Sequence, residues 1–202
     1  MSGANQRPNI RGRAAAVQPD NPYLRTHQVD DFEQVAEDAD YLESLDRPPT
    51  QYLDDQSQSI VATNDSPDVG FNYSVNPYRG CSHGCSYCYA RPGHEYLGMS
   101  AGIDFETKIY TKPQAAVVLR RELSKPGYRC LPITLGANTD AYQPVEHDLR
   151  ITRQILEVLV EFRHPVSILT KSALIERDID LLQGLARDNL VNALISVTSF
   201  DD

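Results

Sequence analysis

Residues 80–91 read GCSHGCSYCYAR, which puts three cysteines, Cys81, Cys85 and Cys88, inside eight positions with Tyr87 directly before the last. In a reducing compartment, clustered thiols favour a metal over disulfides. Two metals suit such a loop. A cubane iron–sulfur cluster held by three thiolates leaves its fourth iron open to an outside ligand. Zinc could take the same three thiolates with His83 or His94 as the fourth. Zinc sites usually pair two knuckles from separate segments, and a second knuckle is absent from this sequence; His83 reads more simply as a surface histidine. The fourth cysteine, Cys130, precedes the apolar run LPITLGA. It therefore belongs at the opposite end of a strand, ~20 Å from the loop at ~3.3 Å per residue, and reads as a small core residue.

The elements that must carry the loop begin near residue 70. FNYSVNPYRG reads as a strand that ends at the cysteines. KPQAAVVLRRELSK reads as a helix with Pro113 in its first turn. LPITLGA is a buried strand, DLRITRQILEVLVEFR a helix with Asp148 as its N-cap, and PVSILTKS the next strand. ALIERDIDLLQGLARDN is a helix broken near Asp178, and NALISVTS is a fourth strand. Short buried strands alternating with helices predict βαβ units and a parallel sheet, with functional groups in the loops after the strands' C-terminal ends. Residues 1–65 differ: they are rich in Asp, Gln, Asn, Ser and Pro and read as a largely irregular tail ahead of a core domain at 66–202. Within the tail, a short helix is expected around Phe32, Val35 and Ala36, and Arg11 and Arg13 form a small basic island read as solvated.

Composition narrows the partners. With 19 basic against 28 acidic residues the formal charge is −9, which argues against a strong nonspecific grip on nucleic-acid phosphates. The first twenty residues hold only a four-residue apolar run, not a secretory signal, and no segment approaches the ~18 apolar residues of a membrane helix. The expectation is a cytoplasmic protein.

The spacing Cys81-x-x-x-Cys85-x-x-Cys88, with an aromatic before the last cysteine, resembles the signature of the radical S-adenosylmethionine (AdoMet) enzymes. The surrounding stretch NDSPDVGFNYSVNPYRGCSHGCSYCYARPGHEYLG, then DFETKIYTK and TDAYQPVE, resembles the subgroup related to spore photoproduct lyase, often described as DNA repair photolyase-like. The resemblance covers roughly residues 50–202 and, more weakly, RGRAA in the tail. It implies that Cys81, Cys85 and Cys88 hold three irons of a [4Fe–4S] cluster whose fourth iron binds AdoMet, with Tyr87 against the adenine. It implies AdoMet contacts from Gly136, Ala137, Asn138, Thr139 and Asp140, and a Lys171–Ser196 pair facing the AdoMet carboxylate. It further implies reductive cleavage of AdoMet to a 5′-deoxyadenosyl radical that takes hydrogen from a substrate, an electron donor such as flavodoxin or ferredoxin, and nucleic-acid repair or modification as one arena. Spore photoproduct lyases carry a cysteine near the start of the stretch after the second strand. Gly136 and Ala137 stand there instead, so the initiating chemistry carries over rather than the photoproduct-lyase step. Tyr142, Gln143 and Glu146 in the same stretch receive no role. Radical AdoMet cores resemble a partial barrel of six βα units. With four strands in view, the expectation is an α/β partial barrel truncated after the fourth strand. The rival reading is a noncatalytic zinc or structural iron–sulfur module, or an inactive fragment.

Overall fold

The computed structural model describes residues 12–15, 17–24 and 48–198. The helix expected around Phe32 lies outside them, as does Arg11. The chain forms two compact units, Met1–Tyr52 with Gly80–Ile109, and Leu53–Arg79 with Tyr110–Asp202. Among the described residues no helix is long and apolar enough to cross a membrane.

The second unit is a mixed α/β fold around a five-stranded sheet. In chain order the strands are β1 (Gln51–Asp54), β2 (Val61–Thr63), β3 (Tyr73–Val75), β4 (Tyr78–Arg79), β5 (Lys108–Thr111), β6 (Ile133–Leu135), β7 (Val166–Thr170) and β8 (Val191–Ile195). The large sheet has the order β2-β3-β6-β7-β8; β2 is antiparallel to β3 and the other pairs are parallel. The register sets Val75 opposite Leu135, Leu135 opposite Ile168, and Thr170 opposite Ile195, so the C-terminal ends of β3, β6, β7 and β8 share one edge. Four parallel strands are present as expected, the first of them covering only part of FNYSVNPYRG.

The helices are α1 (Ile103–Thr107), α2 (Ala115–Leu123), α3 (Glu146–Leu149), α4 (Ile151–Glu161) and α5 (Ile179–Ala186), with 3-10 turns at Arg91–Leu97 and Ala173–Asp178. α4 buries Ile151, Ile155, Leu156, Val158 and Leu159 as one apolar stripe at helical spacing, with Thr152 buried beside them. That stripe, with Leu119 of α2 and Ile133, Leu135 and Ile168 of the sheet, makes the core.

Several details depart from the sequence reading. FNYSVNPYRG is two short strands, not one. Pro77 has no N–H and disfavours helical backbone at Asn76, so the ladder breaks there. The chain re-forms as β4, antiparallel to β5, in a separate three-stranded sheet of order β1-β5-β4. Asp148 does not cap a helix. Arg150 adopts the left-handed conformation, φ 51°, and divides α3 from α4. The amides of Thr152 and Arg153 at the start of α4 donate instead to the Glu146 carboxylate, at 3.0 and 3.4 Å. The break expected near Asp178 is where the 3-10 turn gives way to α5. Ser196 follows β8 rather than lying in it. Cys130 is exposed, not a core residue.

Candidate metal centre

The cysteine loop belongs to the first unit and is built on glycines and one arginine. Gly80 turns the chain into the loop at φ 79°; a Cβ there would sit 2.9 Å from His94 Cε1 and from the Phe105 carbonyl. Cys81 N–H donates to that carbonyl at 2.9 Å. Two tight turns follow, Gly84 N–H to Cys81 O at 3.1 Å and Cys88 N–H to Cys85 O at 3.2 Å. Gly84 has φ 64°, a conformation that costs little only for glycine.

Arg91 fixes the loop from below. Its Nε donates to Cys85 O at 3.0 Å and Nη2 to Gly84 O at 2.9 Å. Nη1 donates to Ala101 O and Gly102 O at 3.2 and 3.1 Å, and Nη2 also to Glu106 Oε1 at 2.5 Å. All five N–H groups of the guanidinium are thereby used. Phe105 lies under the guanidinium carbon at 5.2 Å from its ring centre. Arg91 stands at the end of the cysteine motif, where its residue type and position alone carry no signal of this role.

Cys81 is buried; Cys85 and Cys88 are half-buried; all three are free thiols. Among the described residues no three His, Cys, Asp or Glu side chains meet closely enough to share a single metal ion. A cluster would offer each of the three thiolates its own iron and leave one iron without a cysteine. Three free thiols on one glycine-shaped loop are a donor set that fits an iron–sulfur cluster. His94 is committed elsewhere: it is buried, its Nε2 lies 2.9 Å from Lys108 O, and its ring packs edge-on against Phe105. Burial holds its pKa below the ordinary histidine range. His83 is half-buried, and Tyr87 is 66% exposed.

In the second unit the remaining predicted residues gather at the C-terminal edge of the parallel sheet. Gly136 ends β6 with φ 85°, and its N–H donates to Val75 O at 3.1 Å. A Cβ at Gly136 would lie 2.7 Å from Leu169 O. Asn138 is exposed, and its N–H donates to Asn76 Oδ1 at 2.8 Å; Ala137 is buried, as is Thr139, whose hydroxyl donates to Tyr78 O at 3.0 Å. Asp140 ties two strand ends together. Its Oδ1 accepts from Tyr142 N–H at 2.9 Å and the Thr170 hydroxyl at 2.6 Å, and its Oδ2 accepts from Lys171 N–H at 2.9 Å. Lys171 is half-buried; Ser196 is exposed, with its N–H on Thr170 O at 2.8 Å. Sequence reasoning passed over Asn76 and Thr170, which hold this edge, and Lys112, whose Nζ donates to Asn76 O at 2.8 Å.

The stretch that had no assigned role is structural. Tyr142, Gln143 and Glu146 are fully buried. Besides the two amides of α4, the Glu146 carboxylate accepts from the Tyr78 hydroxyl and from Arg177 Nη2, the latter at 2.8 Å. Arg177 also grips Asp178, which Arg153 Nη1 reaches at 3.0 Å. Burial, then the Asp178 carboxylate, pushes the Tyr142 hydroxyl's pKa far up.

The sequence profile of the Radical SAM superfamily matches residues 75–202, which takes in the cysteine loop and strands β6, β7 and β8. The chain belongs to the radical SAM superfamily. Members of the superfamily use a [4Fe–4S] cluster and S-adenosylmethionine. An uncharacterized protein of Mycobacterium tuberculosis is 44% identical over 131 residues, 65% of this chain and 38% of the relative. An uncharacterized protein of Methanocaldococcus jannaschii is 36% identical over 119 residues, 56% of this chain and 40% of the relative. The chain thus spans well under half the length of these relatives. No solved structure matches.

Proposed function

We propose that Cys81, Cys85 and Cys88 hold three irons of a [4Fe–4S] cluster, that the fourth iron binds AdoMet, and that the enzyme initiates radical chemistry on a substrate. The observation that carries this reading is the three-thiol loop turned on Gly84 and pinned through its carbonyls by Arg91, within the span that matches the superfamily. Held by Cys81, Cys85 and Cys88, a reduced cluster would supply the one electron needed for cleavage of the AdoMet C5′–S bond to methionine and a 5′-deoxyadenosyl radical, which would take a hydrogen atom from the substrate.

The chain's own residues bind and orient. Tyr87, exposed beside Cys88, offers a flat ring to the adenine without competing for iron. Gly136 brings bare backbone close to a ligand, and Asn138 and Thr139 add polar groups beside it. Asp140 works by positioning: its carboxylate holds the Lys171 amide and the Thr170 hydroxyl, so the β6 and β7 ends keep their places. Lys171 and Ser196 supply a cation and a hydroxyl suited to the AdoMet carboxylate. The α/β core corresponds on this reading to part of a radical AdoMet barrel, working in the cytoplasm with an external flavodoxin or ferredoxin. Relatedness to spore photoproduct lyase rests on the cysteine loop, DFETKIYTK and TDAYQPVE together, and makes a nucleic acid the substrate class to try first.

The test is anaerobic reconstitution followed by dithionite reduction with AdoMet. A brown protein with about four irons per chain that releases 5′-deoxyadenosine is expected. Alanine at Cys81, Cys85 or Cys88 should abolish the cluster, Cys130→Ala should spare it, and Tyr87→Ala should weaken AdoMet binding alone. A colourless protein holding one zinc overturns the reading.

A further inference from the structure

Residues 12–15, read from sequence as part of a solvated tail, are built into the floor of the cysteine loop. The Glu106 side chain is fully buried. Its Oε2 accepts from the amides of Arg13, at 2.5 Å, and Ala14, at 3.3 Å; its Oε1 accepts from the Ala15 amide at 3.0 Å and from Arg91. Arg13 Nη1 returns to the Glu106 carbonyl at 3.0 Å. Three successive amides converging on one carboxylate make an anion nest whose anion belongs to the protein itself. The fit is close. A Cβ on Gly12 would lie 2.5 Å from Glu106 Oε2, and one on Gly84 would lie 2.8 Å from Arg13 Cβ and 2.9 Å from the Glu106 carboxyl. The strap continues through Gln18, whose Oε1 accepts from Ile103 N–H at 2.8 Å, and Asn21, whose Nδ2 donates to Glu95 O and Met99 O, both at 2.9 Å.

We propose that Glu106 is a positioning residue for the metal centre, transmitting the 12–15 strap through Arg91 to the Gly84 and Cys85 carbonyls and so setting the shape in which the three thiolates are presented. The role of the loop as cluster ligand rests on the function proposed above; the strap's control of the loop does not. Glu106 also neutralises Arg91. With the carboxylate removed, a guanidinium against the loop would keep its full charge and favour the more negative, reduced cluster.

Two measurements test this on the full chain. In metal-free, anaerobic protein, iodoacetamide labelling of buried Cys81 is timed by peptide mass spectrometry against exposed Cys130 as internal reference. Glu106→Gln and Gly12→Ala should each raise the Cys81 rate relative to Cys130 by about tenfold or more, as expected when a charge-assisted bond in a buried clamp is lost. Arg91→Lys, which lacks the planar fork, should do the same. In reconstituted protein, Glu106→Gln should raise the cluster's midpoint potential, a change that mere loosening with loss of iron would not produce. If Glu106→Gln also exposes the Gly98 and Lys108 amides to hydrogen exchange, it has unfolded the first unit, and Gly12→Ala and Arg91→Lys decide. Cys81 labelling within about twofold of wild type in the folded variants, or an unmoved potential, overturns the proposal. Failure of wild-type protein to take up iron overturns the functional reading and leaves the labelling result standing.

Discussion

Arg177 is the residue whose loss the second unit should feel most. Its side chain is 19% exposed, yet it makes four hydrogen bonds to groups with no exposure at all. They run to Glu146 O at 2.7 Å, Glu146 Oε1 at 2.8 Å, Asp178 Oδ1 at 2.9 Å and Asp178 Oδ2 at 2.7 Å. Its guanidinium also lies 5.9 Å from the centre of the Tyr142 ring. Arg177→Met keeps the aliphatic volume and removes the charge. Breaking a buried ion pair from one side costs ~3–5 kcal/mol because a carboxylate is left behind. Here neither carboxylate is stripped: Glu146 keeps the Tyr78 hydroxyl and two amides, and Asp178 keeps Arg153. The lower end therefore applies, about 3 kcal/mol, or roughly 6–12 °C in melting temperature for a chain of this size. The assay is urea unfolding followed by hydrogen exchange of the Ile133–Leu135 amides. Adding Glu146→Gln to Arg177→Met should cost less than the two single changes summed, because the second removes the charge the first exposes. A loss under about 1 kcal/mol for Arg177→Met, or strict additivity in the pair, would refute the claim that Glu146, Arg177 and Asp178 act as one buried network.

Gly136→Ala should destabilise by roughly 1–2 kcal/mol from the left-handed backbone alone, and by more from the Leu169 carbonyl 2.7 Å from the new Cβ; calorimetry checks it. Leu169→Ala should not rescue it, since the obstacle is backbone. Lys112 carries a pH signature. Burial, aided by Arg79, lowers its pKa from 10.5 to about 8. The unfolded chain therefore binds more protons than the folded one between about pH 8 and 10.5, and this group's contribution to stability rises across that window and is lost as pH falls through 8. Urea midpoints at pH 7.5 and 9.5 should shift in favour of the higher pH for wild type relative to Lys112→Met; equal shifts would show that Lys112 titrates normally.

The parallel run was legible because β6 and β7 are short and apolar, and α4 between them carries a clean buried stripe. β6 is buried at all three positions, and α4 repeats its apolar residues at helical spacing. What escaped was nonlocal. Glu106 meets residues 91 to 93 positions away in sequence, so nothing in RGRAA or DFETK alone announces the pairing. Glu146 captured the amides that Asp148 was expected to cap, and the competition was decided by Arg177 and Tyr78 from outside the helix. Asn76-Pro77 did carry a signal: a proline inside a strand pattern argues for a break. For the site, cysteine type and spacing could be read directly, because thiolate chemistry depends on both. Arg91 could not, because nothing about an arginine after a cysteine motif says that it will turn back on the loop's carbonyls.

The central claim is that three cysteines hold a cluster with one iron left open for AdoMet. Mössbauer spectroscopy of protein reconstituted anaerobically with 57Fe tests it most directly. Without AdoMet the irons should give the signature of an oxidised [4Fe–4S] cluster. With AdoMet, about one iron in four should separate into its own quadrupole doublet, the response of a single site that lacks a thiolate. Four irons that stay equivalent in the presence of AdoMet, or the absence of a cluster spectrum altogether, would contradict the account.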